Sequence, residues 1–174
     1  VKIISGGQTG VDRAALDVAL KHGIDCGGWC PAGRLDELGK IPERYPVQEL
    51  EQGSFAERTL RNVKDSGATA LIYFRDLRGG TEFTLRCCLD LGRPHRLIDA
   101  AKVSADEAVK LIVDLVQAHK IDILNVAGPR ESEWPGGYDF AFRALELFFT
   151  RSAKPSPDRG APRNKRGSKP RTSK

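Results

Sequence analysis

Methionine is absent from the 174-residue chain, which opens at Val1 almost directly on an apolar run. The missing start residue predicts one or a few further residues upstream of Val1. No apolar stretch reaches the roughly 18 residues that a membrane span needs, and no basic-then-apolar secretory leader is present. The expected setting is therefore soluble and cytoplasmic. Cysteine is scarce as well: Cys26, Cys30, Cys87 and Cys88 are the full set. Cys26 and Cys30 are tolerably spaced for zinc, but adjacent Cys87 and Cys88 would point to different faces of a helix. His22, His95 and His119 form no ligand-spaced pair. Reduced structural cysteines are the preferred reading, and no metal site is expected.

What is present is an ordinary globular composition, 40% hydrophobic and 29% charged, with the charge unevenly placed. Arg151 to Lys174 holds nine Lys or Arg against one Asp, a local charge of +8, so residues 1–150 carry −3 of the overall +5. That tail contains four prolines and no large apolar residue, too little buried surface to offset its ordering entropy. The expected organisation is one domain over 1–150 and a basic, disordered tail over 151–174. Nonspecific nucleic-acid contact is one use for such an arm, and a solvated appendage is the other.

Along the domain, strands and helices alternate. Lys2–Ser5 reads as a short strand that runs into Gly6-Gly7. Thr9 and Asp12 resemble a capping box for a helix carrying Val11, Ala14, Ala15 and Val18 on one stripe. A short strand near 24–27 precedes an irregular stretch, 28–53, too long for an inert connection and read as a cover over a site. A helix over 55–66 carries Arg58, Asn62 and Asp65 along one flank. The apolar run Ala68–Phe74 is the clearest strand. A helix from Gly79 to Leu91 follows, stopped by Gly92 and Pro94, then a strand over 95–98. Ser104 and Glu107 make a capping box for the next helix. Ile121–Ala127 is a strand, and Tyr138–Thr150 a final amphipathic helix with Phe142, Leu145, Phe148 and Phe149. This alternation predicts an α/β fold: a Rossmann-like doubly wound, mostly parallel sheet with helices on both faces. Such sheets often pair through helices, so a homo-oligomer is expected, with the aromatic face of the last helix as its candidate surface.

Ligands of open α/β sheets bind outside the carboxyl ends of the strands, where three turns fall. The first, Gly6, Gly7, Gln8, Thr9 and Gly10, opens a helix whose unpaired amides and positive dipole end suit phosphate, with Arg13 adding charge. It is neither a Walker A loop nor a G-x-G-x-x-G fingerprint, and a purely structural tight turn fits it equally. The second, Gly79, Gly80 and Thr81 with Thr84 one turn on, offers two hydroxyls and another helix start. Glu82 beside them is either a base or a dipole-favoured helix residue. The third, Arg130, Glu131 and Ser132, offers an oxyanion clamp or an Arg paired with Glu131. Trp29 could stack on a planar ring or pack in the core. Together the turns predict an anion pocket for a small phosphorylated ligand.

The segments Gly6–Asp17, Gly27–Arg34, Ile41–Pro46, Arg58-Thr59 with Asn62-Val63 and Asp65-Ser66, Gly79–Thr81, and Asn125–Ser132 resemble, in this order, the molybdenum cofactor carrier family of the SLOG superfamily. The resemblance spans about residues 2–150. It implies a carrier that protects and hands over molybdenum cofactor, a phosphorylated pterin (molybdopterin) holding oxidised molybdenum, with molybdoenzymes as recipients and no necessary catalysis. It also implies phosphate at Gly6–Gly10 and Gly79–Thr84, and the pterin or oxo-metal end near Arg130–Ser132. The superfamily includes phosphoribohydrolases with Pro-Gly-Gly-x-Gly-Thr-x-x-Glu. Here Arg78-Gly79-Gly80-Thr81-Glu82 lacks the middle Gly and displaces the Glu, so no catalytic residue carries over. A nucleotide-ligand enzyme and a nucleotide sensor remain the alternatives.

Overall fold

The computed structural model describes residues 1–152. The expected disordered tail falls almost wholly outside them. The last helix runs to Ser152, two residues past the expected domain edge, and Arg151 pairs with Asp106 at 2.8 Å.

The elements are β1 (Lys2–Ile4), α1 (Val11–Lys21), β2 (Cys26–Gly27), β3 (Trp29–Cys30), a 3-10 turn (Ala32–Arg34), β4 (Leu35–Asp36), β5 (Gly39–Lys40), β6 (Gln48–Glu49), α2 (Phe55–Asp65), β7 (Ala68–Tyr73), α3 (Gly79–Asp90), β8 (His95–Asp99), α4 (Ala105–His119), β9 (Ile123–Ala127) and α5 (Gly137–Ser152). Five strands form one parallel sheet in the order β2-β1-β9-β7-β8. If β9 is counted as the first strand and the chain read on from β1, the order becomes 3-2-1-4-5, that of a dinucleotide-binding sheet. The strand order reverses between β9 and β7, so the loops leaving those two strands flank the crevice where ligands of such sheets bind.

Residue alternation along β7 shows why its run is apolar throughout. Ala68, Ala70 and Ile72 face the main core under α1, α4 and α5, whereas Leu71 joins Val63, Cys87 and Cys88 under α2 and α3. A parallel strand covered on both sides needs apolar residues at every position. Helices α2 and α4 begin with complete capping boxes, Ser54 with Glu57 and Ser104 with Glu107.

Two expectations are corrected. The aromatic stripe of α5 is not a free surface: Leu145, Phe148 and Phe149 are buried in the core beside α1 and α4. The 28–53 stretch is also less irregular than its sequence suggests. The Arg34 guanidinium donates to the carbonyls of Val47 at 2.8 Å and of Pro42 and Tyr45 at 3.1 Å. One planar cation thus gathers the segment into a compact cover. Tyr45 is buried beneath it and donates to Asp17 of α1 at 2.8 Å, and Tyr138 of α5 donates to the same carboxylate at 2.9 Å.

Candidate ligand site

The loop after β1 turns the amides of Gln8 and Thr9 toward the protein itself. Thr9 does not cap α1, whose N-cap is Gly10 with no side-chain cap. The Val11 amide donates to the Pro129 carbonyl at 3.3 Å, and the Thr9 amide donates to the Gln8 side-chain carbonyl at 3.0 Å. The Gln8 amide donates to the carboxylate of Asp12. Asp12 is buried and sits 2.9 Å from Nη1 of Arg58, which reaches across from α2. Burial pushes the Asp12 carboxyl up, against the pull of the Arg58 guanidinium and of its hydrogen bonds. A Cβ on Gly6 would lie 1.4 Å from Arg58 Nη1, so Gly6 is the gap through which the cation reaches its partner. This loop therefore wraps an internal carboxylate, where the sequence suggested an external anion. Arg13 faces away as well: it pairs with Asp36 at 2.7 Å and donates to the Gly7 carbonyl at 3.1 Å.

The start of α3 is built differently. Its N-cap, Arg78, makes no side-chain cap, in contrast to the closed starts of α2 and α4. Gly79 holds φ +50°, a left-handed conformation that favours glycine. Thr84 donates back to the Gly80 carbonyl at 2.8 Å. Thr81 is only 3% exposed and its hydroxyl has no partner. An unpaired buried hydroxyl costs about 1–3 kcal/mol, so its retention asks for an explanation. Gly79, Gly80, Thr81 and Thr84 line a cleft of about 250 Å³, opposite Arg58 and Thr59 of α2 and Arg130 of the loop after β9. Gln8 and Asp12 also line it. The Gln8 carbonyl oxygen is already engaged by the amides of Thr9 and Glu37, each at 3.0 Å.

The third turn divides. Arg130 stays at the rim of the cleft, paired with Glu133 at 3.2 Å and not with Glu131. Glu131 and Ser132 turn to the other side, where Glu37 joins three segments. The Thr9 hydroxyl and the Ser132 hydroxyl both donate to its carboxylate, and the Ser132 amide does so at 3.2 Å. The Glu131 amide donates to the Thr9 hydroxyl at 3.0 Å. Glu37 sits at the tip of the β4–β5 hairpin, so this clasp ties the cover to both loops. Partial burial pushes its carboxyl up, but the hydrogen bonds from Ser132 and Thr9 outweigh that and hold it below the usual glutamate range. Thr9, Gly10, Arg13, Glu131 and Ser132 line a separate cavity of about 610 Å³ behind the clasp. The single pocket expected from the three turns is thus two.

Residues 3–149 match the circularly permutated YpsA SLOG family. The chain belongs to that family. The permutation is visible in the sheet, where the last strand occupies the place of the first. The crystal structure of a "putative molybdenum carrier protein" from Syntrophus aciditrophicus SB is similar, at 44% identity and a TM-score of 0.83. The alignment covers 84% of this chain and 93% of that one. No curated protein sequence matches.

In this SLOG member, Glu82 is not a cavity residue; it lies at the surface, 3.8 Å from Arg86. Trp29 is held outside the cleft too, with its indole nitrogen donating to Asp65 at 2.8 Å and Arg61 over its ring. All four cysteines are free and buried, with burial pushing each thiol up. No group of His, Cys, Asp or Glu among the described residues could hold a metal ion, and no described helix is long and apolar enough to cross a membrane. Sequence reading missed Glu37, which follows Asp36 in a stretch without periodicity. It also gave Asp12 a capping role, because its partner lies 46 residues away and no local spacing announces it.

Proposed function

We propose that this protein binds a small phosphorylated ligand at the start of α3, and that the ligand is a phosphorylated pterin, the molybdenum cofactor, which it carries and shields until transfer to a molybdoenzyme. The observation that carries the anion site is the buried, unpartnered Thr81 hydroxyl at an uncapped helix N-terminus. Helix starts attract anions through free amides and the positive end of the helix dipole. Here Gly79 and Gly80 let a phosphate approach the backbone, and Arg58 and Arg130, paired with Asp12 and Glu133 in the same lining, bring guanidinium donors to the cleft. The cleft lies at the point where strand order reverses, the place this architecture reserves for ligands. The description of the Syntrophus relative as a molybdenum carrier supports the choice of cargo.

The buried cysteines leave the metal end of such a cargo to its own dithiolene sulfurs and to oxygen or nitrogen donors of the protein. The test is the lifetime of released cofactor in air. Saturable binding with slowed oxidation is expected, and Thr81→Val should weaken it. Equal lifetime with and without protein would remove the carrier reading.

A further inference from the structure

Three phenylalanines of the described chain are markedly exposed: Phe55 at 46%, Phe74 at 40% and Phe83 at 36%. All three lie in the anion cleft or in the cavity next to it. Scattered exposed apolar side chains are ordinary, but their concentration around one opening marks a binding surface. The neighbouring cavity, about 530 Å³, shares Gly79 and Glu133 with the cleft and extends along Phe74, Arg75, Arg78, Pro129 and Trp134. It therefore occupies the crevice between the loops leaving β7 and β9.

Phe74 and Trp134 come from those two loops and stack with ring centres 5.6 Å apart and planes 22° from parallel. The backbone that presents Phe74 is constrained. Arg75 sits at φ +65°, uncommon for a residue with a side chain. The Asp99 carboxylate holds it there, accepting the amides of Arg75 at 2.9 Å and Ala101 at 3.0 Å. Strained residues gather where a site needs a fixed geometry. The Arg75 guanidinium lies 5.1 Å over the Phe74 ring, adding a cation to the aromatic surface.

We infer that Phe74 and Trp134 form the shelf for a planar heteroaromatic ring, joined to the phosphate held at α3, so the ligand class is a fused-ring heterocycle bearing a phosphate. This rests on the anion reading above, and it moves the ring end from Arg130–Ser132 to the β7–β9 crevice. Base stacking on an aromatic side chain strengthens binding by roughly tenfold or more.

Guanosine monophosphate is a suitable probe, because its 2-amino-4-oxopyrimidine edge is also that of a pterin. In a Trp29→Phe chain, Trp134 is the remaining tryptophan and reports by fluorescence. GMP should quench it and bind about tenfold more tightly than ribose 5-phosphate. Phe74→Ala should bring GMP within about threefold of ribose 5-phosphate, leave ribose 5-phosphate binding unchanged, and keep a native melting transition. GMP binding no more tightly than ribose 5-phosphate would overturn the inference. So would an advantage that survives Phe74→Ala and disappears in Phe83→Ala. Guanosine binding as tightly as GMP, with Thr81→Val silent, would remove the phosphate site and leave the shelf standing. No binding by any of these probes would remove both.

Discussion

Arg58 of α2 places its guanidinium 2.9 Å from the buried carboxylate of Asp12, in the space where Gly6 lacks a side chain. This pair closes the floor of the cleft and occupies the loop that would otherwise receive an anion. Removing Arg58 leaves an uncompensated buried charge, a change that costs about 3–5 kcal/mol. Arg58→Ala should therefore lower the free energy of urea unfolding by about that much near neutral pH. The sign of its pH dependence follows from Asp12, whose folded-state carboxyl already lies above its ordinary value. Loss of the cation raises it further. The deficit should thus be smallest below the raised folded value of Asp12, where the folded carboxyl is protonated with or without Arg58, and grow as pH rises above it. Gly6→Ala should reproduce the same defect, and the double variant should be little worse than either single one, because both break one contact.

Thr81→Val separates folding from binding. It removes a buried hydroxyl that has no partner in the free protein, so stability should stay level or rise by about 1 kcal/mol. Phosphate-bearing ligands should nevertheless bind at least about tenfold more weakly, since a hydrogen bond to a charged group is worth about 1.5–3 kcal/mol. Thermal unfolding paired with calorimetric titration reads both effects. A variant that loses stability and keeps affinity would assign Thr81 to the core.

Glu37 gives the cover its acid sensitivity. Its carboxyl is held below the usual glutamate range by the Ser132 and Thr9 hydrogen bonds, which outweigh partial burial. Its contribution is present above the unfolded glutamate value and is lost as pH falls through the lower folded value. Acidification should loosen the hairpin tip at 35–40 before the sheet unfolds, which hydrogen exchange at low pH can follow. In Glu37→Gln the cover should already be looser at pH 7, and its exchange should respond less to acid.

The cover depends on Arg34 for geometry more than for charge, because its guanidinium donates to several backbone carbonyls of the 41–47 segment. A lysine keeps the charge but cannot reproduce a planar fork of donors. Arg34→Lys should raise amide exchange across residues 35–50 while leaving α4 protected.

The order of elements was legible in the sequence because each signal was local. The apolar run at 68–73, the Ser104–Glu107 box and the Gly92-Pro94 stop all correspond to features of the structure. The parallel, doubly covered sheet followed from that order. The permuted strand order did not, since pairing of β1 with β9 joins residues at opposite ends of the chain. The same distance hid the chemistry. Gly6–Gly10 has the composition of an anion loop, but the amides of Gln8, Thr9 and Val11 are claimed by Asp12, Gln8 and Pro129, and the first two acceptors gain their meaning only through Arg58 and Glu37. The second turn, Gly79–Thr81, looked no stronger in sequence than the first. Both α1 and α3 start without a side-chain cap. What sets the second turn apart is the buried Thr81 hydroxyl without a partner, which depends on the folded surroundings.

The central claim is that an oxyanion binds at the start of α3 and not in the loop after β1. Crystals soaked in phosphate and in molybdate test it directly. Tetrahedral density within hydrogen-bonding distance of the Gly80 amide and the Thr81 hydroxyl is the predicted result. Density cradled by Gly6–Gly10, or none in the cleft at saturating concentrations of either ion, would contradict the account.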